Sequence, residues 1–127
     1  MRIDNMFNHT RILGAAMQAA TVRDGVIAHN IANADTPGFK RNVVRFEDTL
    51  AAAVRDFRST GRLDLSNLRT RIDLEFDWLN YRIDENNVDI EFEMVQLYQN
   101  SMRFDVLASG IMHHYRVINM AIAAIGT

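Results

Sequence analysis

"NIANADTPGFK", residues 30–40, contains the only proline of the chain and lies where a long helix-like pattern breaks off. Thr36 precedes proline and is disfavoured in the helical region, Pro37 fixes its own φ, and Gly38 supplies the positive φ of a type II turn. A helix running into this stretch must stop. Asn30 and Asn33 are helix neighbours three residues apart, and Asn33 and Asp35 can bond the backbone groups freed at the helix end. The stretch predicts a rigid reversal that sends the chain back beside its own first helix and presents Phe39 as an apolar anchor.

Upstream of the turn, Met6, Thr10, Leu13, Met17, Ala20, Asp24, Ile27, Ile31 and Ala34 recur at alternating spacings of four and three, a coiled-coil-like seam. Asp24 interrupts it, and Gly14 and Gly25 each cost about 1 kcal/mol relative to alanine. At the other end of the chain, Met94, Leu97, Ser101, Phe104, Ala108, Ile111, Tyr115, Ile118, Ile122 and Ile125 show the same arithmetic more cleanly. Asp89 can cap that helix, Glu91 and Glu93 occupy its first turns, and His113, His114 and Arg116 lie toward its end, as the helix dipole favours. At 1.5 Å per residue the two helices would extend roughly 43 Å and roughly 55 Å, which implies an elongated object.

The middle of the chain changes period. "FEDTLAAAVRDF" sets Phe46, Leu50, Val54 and Phe57 at helical spacing behind Glu47 and Asp48, predicting a short amphipathic helix that "STG", Ser59 to Gly61, ends. "RIDLEFDW", Arg71 to Trp78, alternates apolar and charged residues as a half-buried strand does. The phase then shifts to Leu79, Tyr81 and Ile83, suggesting a bulge or a second extended piece. "DENN", Asp84 to Asn87, closes the region with turn-forming residues. The expected fold is mainly α: one elongated unit over 1–127, terminal helices within 1–35 and 88–127 packing as a coiled coil, and a turn, short helix and β-like segment over 36–87.

Composition narrows the function. A chain of 127 residues makes one domain, and 48% hydrophobic against 24% charged residues is the balance of an ordered protein with no stretch that could span a membrane. A net charge of -2 offers no footprint for nucleic acid or anionic lipid. With no cysteine, disulfides and thiolate chemistry are excluded. Neither His9, His29, His113 and His114 nor the carboxylates form a metal-ligand spacing, so no metal or cofactor is expected. Asp73, Glu75 and Asp77 share one strand face, where solvation explains them better than catalysis. Nothing supports an enzyme. Met6, Met17 and Met94 lie on the seams, either as ordinary core or as adaptable side chains at contacts between neighbouring copies. The N-terminus lacks the pattern of a cleaved signal.

The wording of the turn carries more than its geometry. "NIANADTPGFKR" closely resembles the N-terminal signature of the bacterial flagellar axial proteins, the rod and hook family, on Asn30, Ile31, Ala32, Asn33, Thr36, Pro37, Gly38 and Phe39, with Asp35 inside the same turn. "NNVDIEFEMVQLYQNSMRFDVLASGI", from Asn86, looks like the C-terminal signature of the smallest rod members, and both fit the FlgB family best. The alternatives are another proximal rod subunit of the FlgC kind or a free-standing helical hairpin that binds a protein partner. The resemblance implies a structural subunit of the flagellar basal-body rod that crosses the periplasm and transmits torque. It further implies export through the flagellar type III apparatus without a cleaved signal, and partners among copies of the chain, other rod proteins and proteins at the rod base. The seam residues Met6, Leu13, Met17, Ala20, Ile27, Ile31, Met94, Leu97, Phe104, Ala108, Ile111, Tyr115, Ile118 and Ile122 are the expected assembly surface.

Overall fold

A computed structural model describes residues 3–61, 63–64, 71–74 and 83–125. The chain runs α1 (Ile3–Ala32), β1 (Asn42–Arg45), α2 (Glu47–Thr60), β2 (Arg71–Leu74) and α3 (Ile90–Ile125). The expected mainly α fold is the observed one, with the long terminal helices packed on each other and a small two-stranded antiparallel sheet between them in sequence. No helix among the described residues is long and apolar enough to cross a membrane.

Helix α1 ends where the sequence stops it. The Asn33 N–H reaches back to His29 O and Asn30 O at 3.2 and 3.1 Å, and the Ala34 N–H bonds Ile31 O at 3.2 Å, a tightened last turn. The reversal then forms on Thr36-Pro37-Gly38-Phe39: Phe39 N–H donates to Thr36 O at 3.2 Å, and Gly38 sits at φ 73°. Both features match the expected type II turn. Phe39 packs edge-on against His29, the ring centroids 5.5 Å apart, so the anchor lands on the helix it has just left.

Helix α3 begins as expected on Asp89, whose Oδ1 accepts the N–H groups of Glu91 and Phe92 at 2.9 and 3.2 Å. It runs antiparallel to α1: Glu93 faces Asn30, Asn100 faces Ala20 and Asp24, and His114 stacks toward His9 with centroids 5.7 Å apart. Gly110 faces the Leu13 side chain, whose Cδ1 an added Cβ would meet at 3.5 Å, an ordinary packing distance.

Strand β1 was not expected from the sequence. It pairs antiparallel with β2 in the register Asn42↔Leu74, Val43↔Asp73, Val44↔Ile72, Arg45↔Arg71, and buries Val44. Arg45 and Asp73 form a diagonal ion pair at 3.4 Å. The predicted strand is thus observed over Arg71–Leu74, while Glu75 to Trp78, Leu79 and Tyr81 lie outside the described residues. Phe46 follows β1 into the core, and α2 then leaves with its acidic first turn and ends at Gly61, φ 68°, whose N–H bonds Phe57 O at 2.8 Å.

Two glycines separate backbone conformation from packing, because a Cβ at either would have no atom within 4 Å. Gly38→Val forces a β-branched residue into positive φ and is expected to cost about 1–3 kcal/mol, whereas Gly14→Ala inside α1 should gain about 0.5–1 kcal/mol. Urea unfolding midpoints moving in opposite directions would bear this out; a neutral Gly38→Val would show that the turn does not hold this conformation.

Candidate functional site: a polar clasp between the two ends of the chain

A helix end leaves carbonyls without partners, and at a buried junction those carbonyls must be met. Here one side chain meets them. Asn86 is fully buried, and its Nδ2 lies 3.0, 2.9 and 2.8 Å from the carbonyl oxygens of Asn33, Ala34 and Thr36, so two N–H bonds are shared among three acceptors. Its Oδ1 accepts Val88 N–H at 2.8 Å, which fixes the approach to α3. Gly38 N–H adds a bond to Asp84 O at 2.8 Å, Lys40 Nζ reaches Glu85 O, and Arg41 N–H donates to Asn87 Oδ1 at 2.7 Å. Glu85 takes φ 62°, which turns the chain toward these contacts.

Asn30, in the last turn of α1, grips the outgoing chain from its other side. Its Nδ2 donates to Asn42 O and its Oδ1 accepts Asn42 N–H, both at 2.9 Å, in the pattern a neighbouring strand would use. The same Nδ2 lies 3.3 Å from Glu93 Oε1, which also pairs with Arg41 Nε. Glu93 is fully buried, and Arg41 lies with its guanidinium 4.8 Å from the centre of the Phe92 ring. The segments 30–42 and 84–93, fifty residues apart in sequence, are therefore one structural unit.

The polar pattern continues up the helix pair. Asn86, Glu93, Asn100, Leu107 and His114 follow at steps of seven, and Asn30, Arg23, Ala16 and His9 answer them in the reverse direction. Asn100 is buried, donating to Ala20 O and Asp24 Oδ1, each at 2.7 Å, with Arg23 Nη1 3.4 Å from its Oδ1. Arg23 also bonds Glu47 Oε1, with Arg103 3.9 Å away on the other side. Partial burial pushes the Glu47 carboxyl up, but its own backbone N–H, the Arg23 hydrogen bond and charge, and the Phe46 N–H outweigh that and hold it below its ordinary value.

The predicted residues divide between inside and outside. Asn30 is buried, Ile31 and Asn33 are half-buried, Ala32, Asp35, Thr36, Pro37 and Gly38 are exposed, and Phe39 is half-buried. On the α1 seam Ala20, Ile27 and Ala34 are buried and Leu13 and Met17 half-buried; Met6 lies in α1 with its side chain outside the described part. On α3, Leu97, Phe104, Ala108, Ile111 and Ile118 are half-buried, whereas Met94, Tyr115 and Ile122 are exposed. The stripe of α3 turned to α1 thus uses Leu97, Phe104, Ile111 and Ile118 alternating with Glu93, Asn100, Leu107 and His114. The row Met94, Ser101, Ala108, Tyr115 and Ile122 lies one position further round the helix. Asn86, Asn100, Arg23, Arg41 and Glu93 were not singled out for the site from sequence, although the seven-residue spacing of Asn86, Glu93 and Asn100, and of Arg23 and Asn30, was available as a signal.

This arrangement has the features of a structural subunit: a helical hairpin locked at one end by paired amides and a buried ion pair. The family model described as flagella basal body rod protein matches residues 11–40, most of α1 and the turn that follows it. The chain is 34% identical over 120 residues to the flagellar basal body rod protein FlgB of Borrelia hermsii, covering 84% of this chain and 89% of the relative. FlgB of Bacillus subtilis is 31% identical over 100 residues, covering 72% of this chain and 75% of its own, and FlgB of Escherichia coli is 28% identical over 122 residues, covering 86% and 88%. The chain belongs to the FlgB family of flagellar basal body rod proteins, a family of structural proteins and not of enzymes.

Two measurements probe the clasp and its neighbouring layer. Asn86→Ala should destabilise by about 2–4 kcal/mol, since buried carbonyls lose their donor. The nearly isosteric Asn86→Asp should be at least as harmful at pH 7, because it replaces that donor by a carboxylate oxygen; a mild Asp variant would show that amide donation is not what matters. For Glu47, a lowered folded-state pKa means its stabilising contribution is complete above the unfolded value, about 4.3, and disappears as pH falls through the folded one. The difference in unfolding midpoint between the chain and Glu47→Gln should therefore shrink below about pH 4.

Proposed function

We propose that this chain is a subunit of the proximal part of the flagellar rod, co-assembling with copies of itself and with other rod and basal proteins through its terminal helices. In that role it transmits torque across the periplasm after export without a cleaved signal. Residues 1–35 and 88–127 supply the inner helical layer of the tube, and residues 36–87 are the turn, short helix and β-like segment between them in sequence.

The observation that carries this reading is the surface of α3. A helix paired with one neighbour needs a single apolar stripe, whereas apolar side chains on several sides call for further neighbours. Helix α3 turns one side to α1, yet Val95, Tyr98, Met102 and Met112 form a second apolar stripe and Met94, Tyr115 and Ile122 a third, with Tyr98 62% and Met102 67% exposed. The hairpin pairing inside the chain and the assembly contacts outside it use different sides of the same helix. Glu93, Asn100 and their partners set the first, and the outward stripes remain for the second. The FlgB relatives are rod proteins by name, and the clasp occupies both segments that resemble the axial-protein signatures.

The test is a double substitution on an outward stripe. Val95→Glu with Tyr98→Glu leaves the α1-facing residues untouched, so the purified chain should retain its helical circular dichroism and unfolding midpoint. In cells carrying it as the sole copy, its recovery in isolated basal bodies should fall by at least about tenfold, since burying unpaired carboxylates costs several kcal/mol and each 1.4 kcal/mol is a factor of ten. Swimming should be lost. Normal swimming with the folded double variant would reject assembly through this stripe.

A further inference from the structure

A cleft of about 170 Å³ lies where α1, β1 and α3 meet. It is smaller than the pockets that take drug-sized ligands, and of a size for a small ion with a few waters. Buried Ile27 and Val44 give it apolar walls. Its charged lining is of one sign: Arg23 from α1, Arg41 from the residue before β1 and Arg103 from α3, with no carboxylate among the described lining residues. Two of these guanidiniums are held in place. Arg41 pairs through Nε with Glu93, and Arg23 Nη2 lies 2.5 Å from Glu47 Oε1, the arginine side chains 11% and 15% exposed. Arg103 differs: its Nη1 is 3.9 Å from the same Glu47 oxygen, beyond hydrogen-bond reach, and its side chain is 57% exposed. Gln96 lies two turns before Arg103 on the same face of α3 and lines the cleft half-buried. Among the described residues neither of these two side chains has a hydrogen bond. Glu47, Glu93 and Asp24 are bonded by Arg23, Arg41 and Asn100 and do not line the cleft.

We propose that this cleft binds a small tetrahedral oxyanion of the phosphate class. A guanidinium offers its donors in a rigid fork that matches the oxygens of phosphate or carboxylate. A carboxylate accepts within one plane, whereas a phosphate presents oxygens in four directions and so accepts from forks that arrive from separate elements. Arg23 and Arg41, fixed by Glu47 and Glu93, are the preformed part of the site. Arg103 and Gln96 complete it, because they bring a positive charge and amide donors with no acceptor of their own. Groups from α1, from the segment before β1 and from α3 thus meet on one ion. Its binding ties α3 to the outgoing chain beside the layers of Glu93 and Asn100. The site is contained in a single chain and does not depend on assembly.

The full-length chain is titrated with inorganic phosphate near neutral pH, with chloride at matched ionic strength as the reference. Calorimetry should show one phosphate per chain with a Kd below about 1 mM. Phosphate at about 10 mM should then raise the thermal unfolding midpoint by about 3 °C or more over chloride. Arg103→Gln should weaken phosphate binding by at least about tenfold. Its midpoint in chloride should match that of the parent chain, since Arg103 is exposed and holds no hydrogen bond. Arg103→Lys, which keeps the charge and loses the fork, should bind severalfold more weakly than the parent. Arg58→Gln removes the same charge from the exposed end of α2 and should bind as the parent does. Glycerol phosphate distinguishes the source of the anion. Equal affinity means that the cleft reads a phosphoryl group carried on a larger molecule, and a tenfold loss means that it takes the free ion; both retain the site. An absence of saturable binding, a phosphate effect no larger than that of chloride, or an equal loss in Arg58→Gln overturns the inference.

Discussion

A single carboxamide, that of Asn86, answers three carbonyls at the end of α1, and the remaining architecture is built around that junction. A helix that ends in the interior needs donors, and here they come from the residues immediately before α3. The end of the first helix and the beginning of the last are consequently held side by side. Two long helices tethered in this way can pack only antiparallel, and the bond from Asn86 Oδ1 to Val88 N–H fixes the angle at which the second one departs. Asn30 applies the same chemistry to the outgoing chain and holds β1 against α1 through both backbone groups of Asn42.

Polar layers within a helical pair generally cost stability relative to an apolar seam and restrict the ways in which the helices can align. That trade is visible along the hairpin. Glu93 with Arg41 and Asn30, and Asn100 with Ala20, Asp24 and Arg23, are buried and directional, and each finds its partners at a particular level of α1 or just before β1. Apolar residues such as Leu97 and Phe104 tolerate sliding; the amide and ion-pair layers do not. A subunit whose outer surface is also apolar has particular need of such a device, because its own helices could otherwise exchange partners with those of neighbours.

Much of this was legible in the residues and some was not, for identifiable reasons. The stop at Thr36-Pro37-Gly38, the Asp89 cap and the ends of α2 depend on interactions within a few positions, and local chemistry reveals them. Of the expected assembly seam on α3, Leu97, Phe104, Ile111 and Ile118 lie half-buried. Glu93 and Asn100, each one residue before a seam position, are buried although Met94 looks more like an interior residue than Glu93 does. Hydrophobic periodicity is blind to a polar residue whose partner lies sixty positions away, as with Asn30 and Glu93. Asp24 looked like a defect in the first helix for the same reason, although it accepts a hydrogen bond from Asn100. Strand β1 has only four residues and no alternation, and it exists because β2 pairs with it and Asn30 holds its first residue.

Helix α2 buries none of its residues, and its last turn, Arg58 to Thr60, stands exposed before Gly61. The hairpin owes little of its cohesion to that extremity, so mutational drift can reshape it at small energetic penalty. The same property makes the junction at Thr60 and Gly61 a natural port for a grafted epitope or fluorophore, a handle on the molecule that leaves its joints undisturbed.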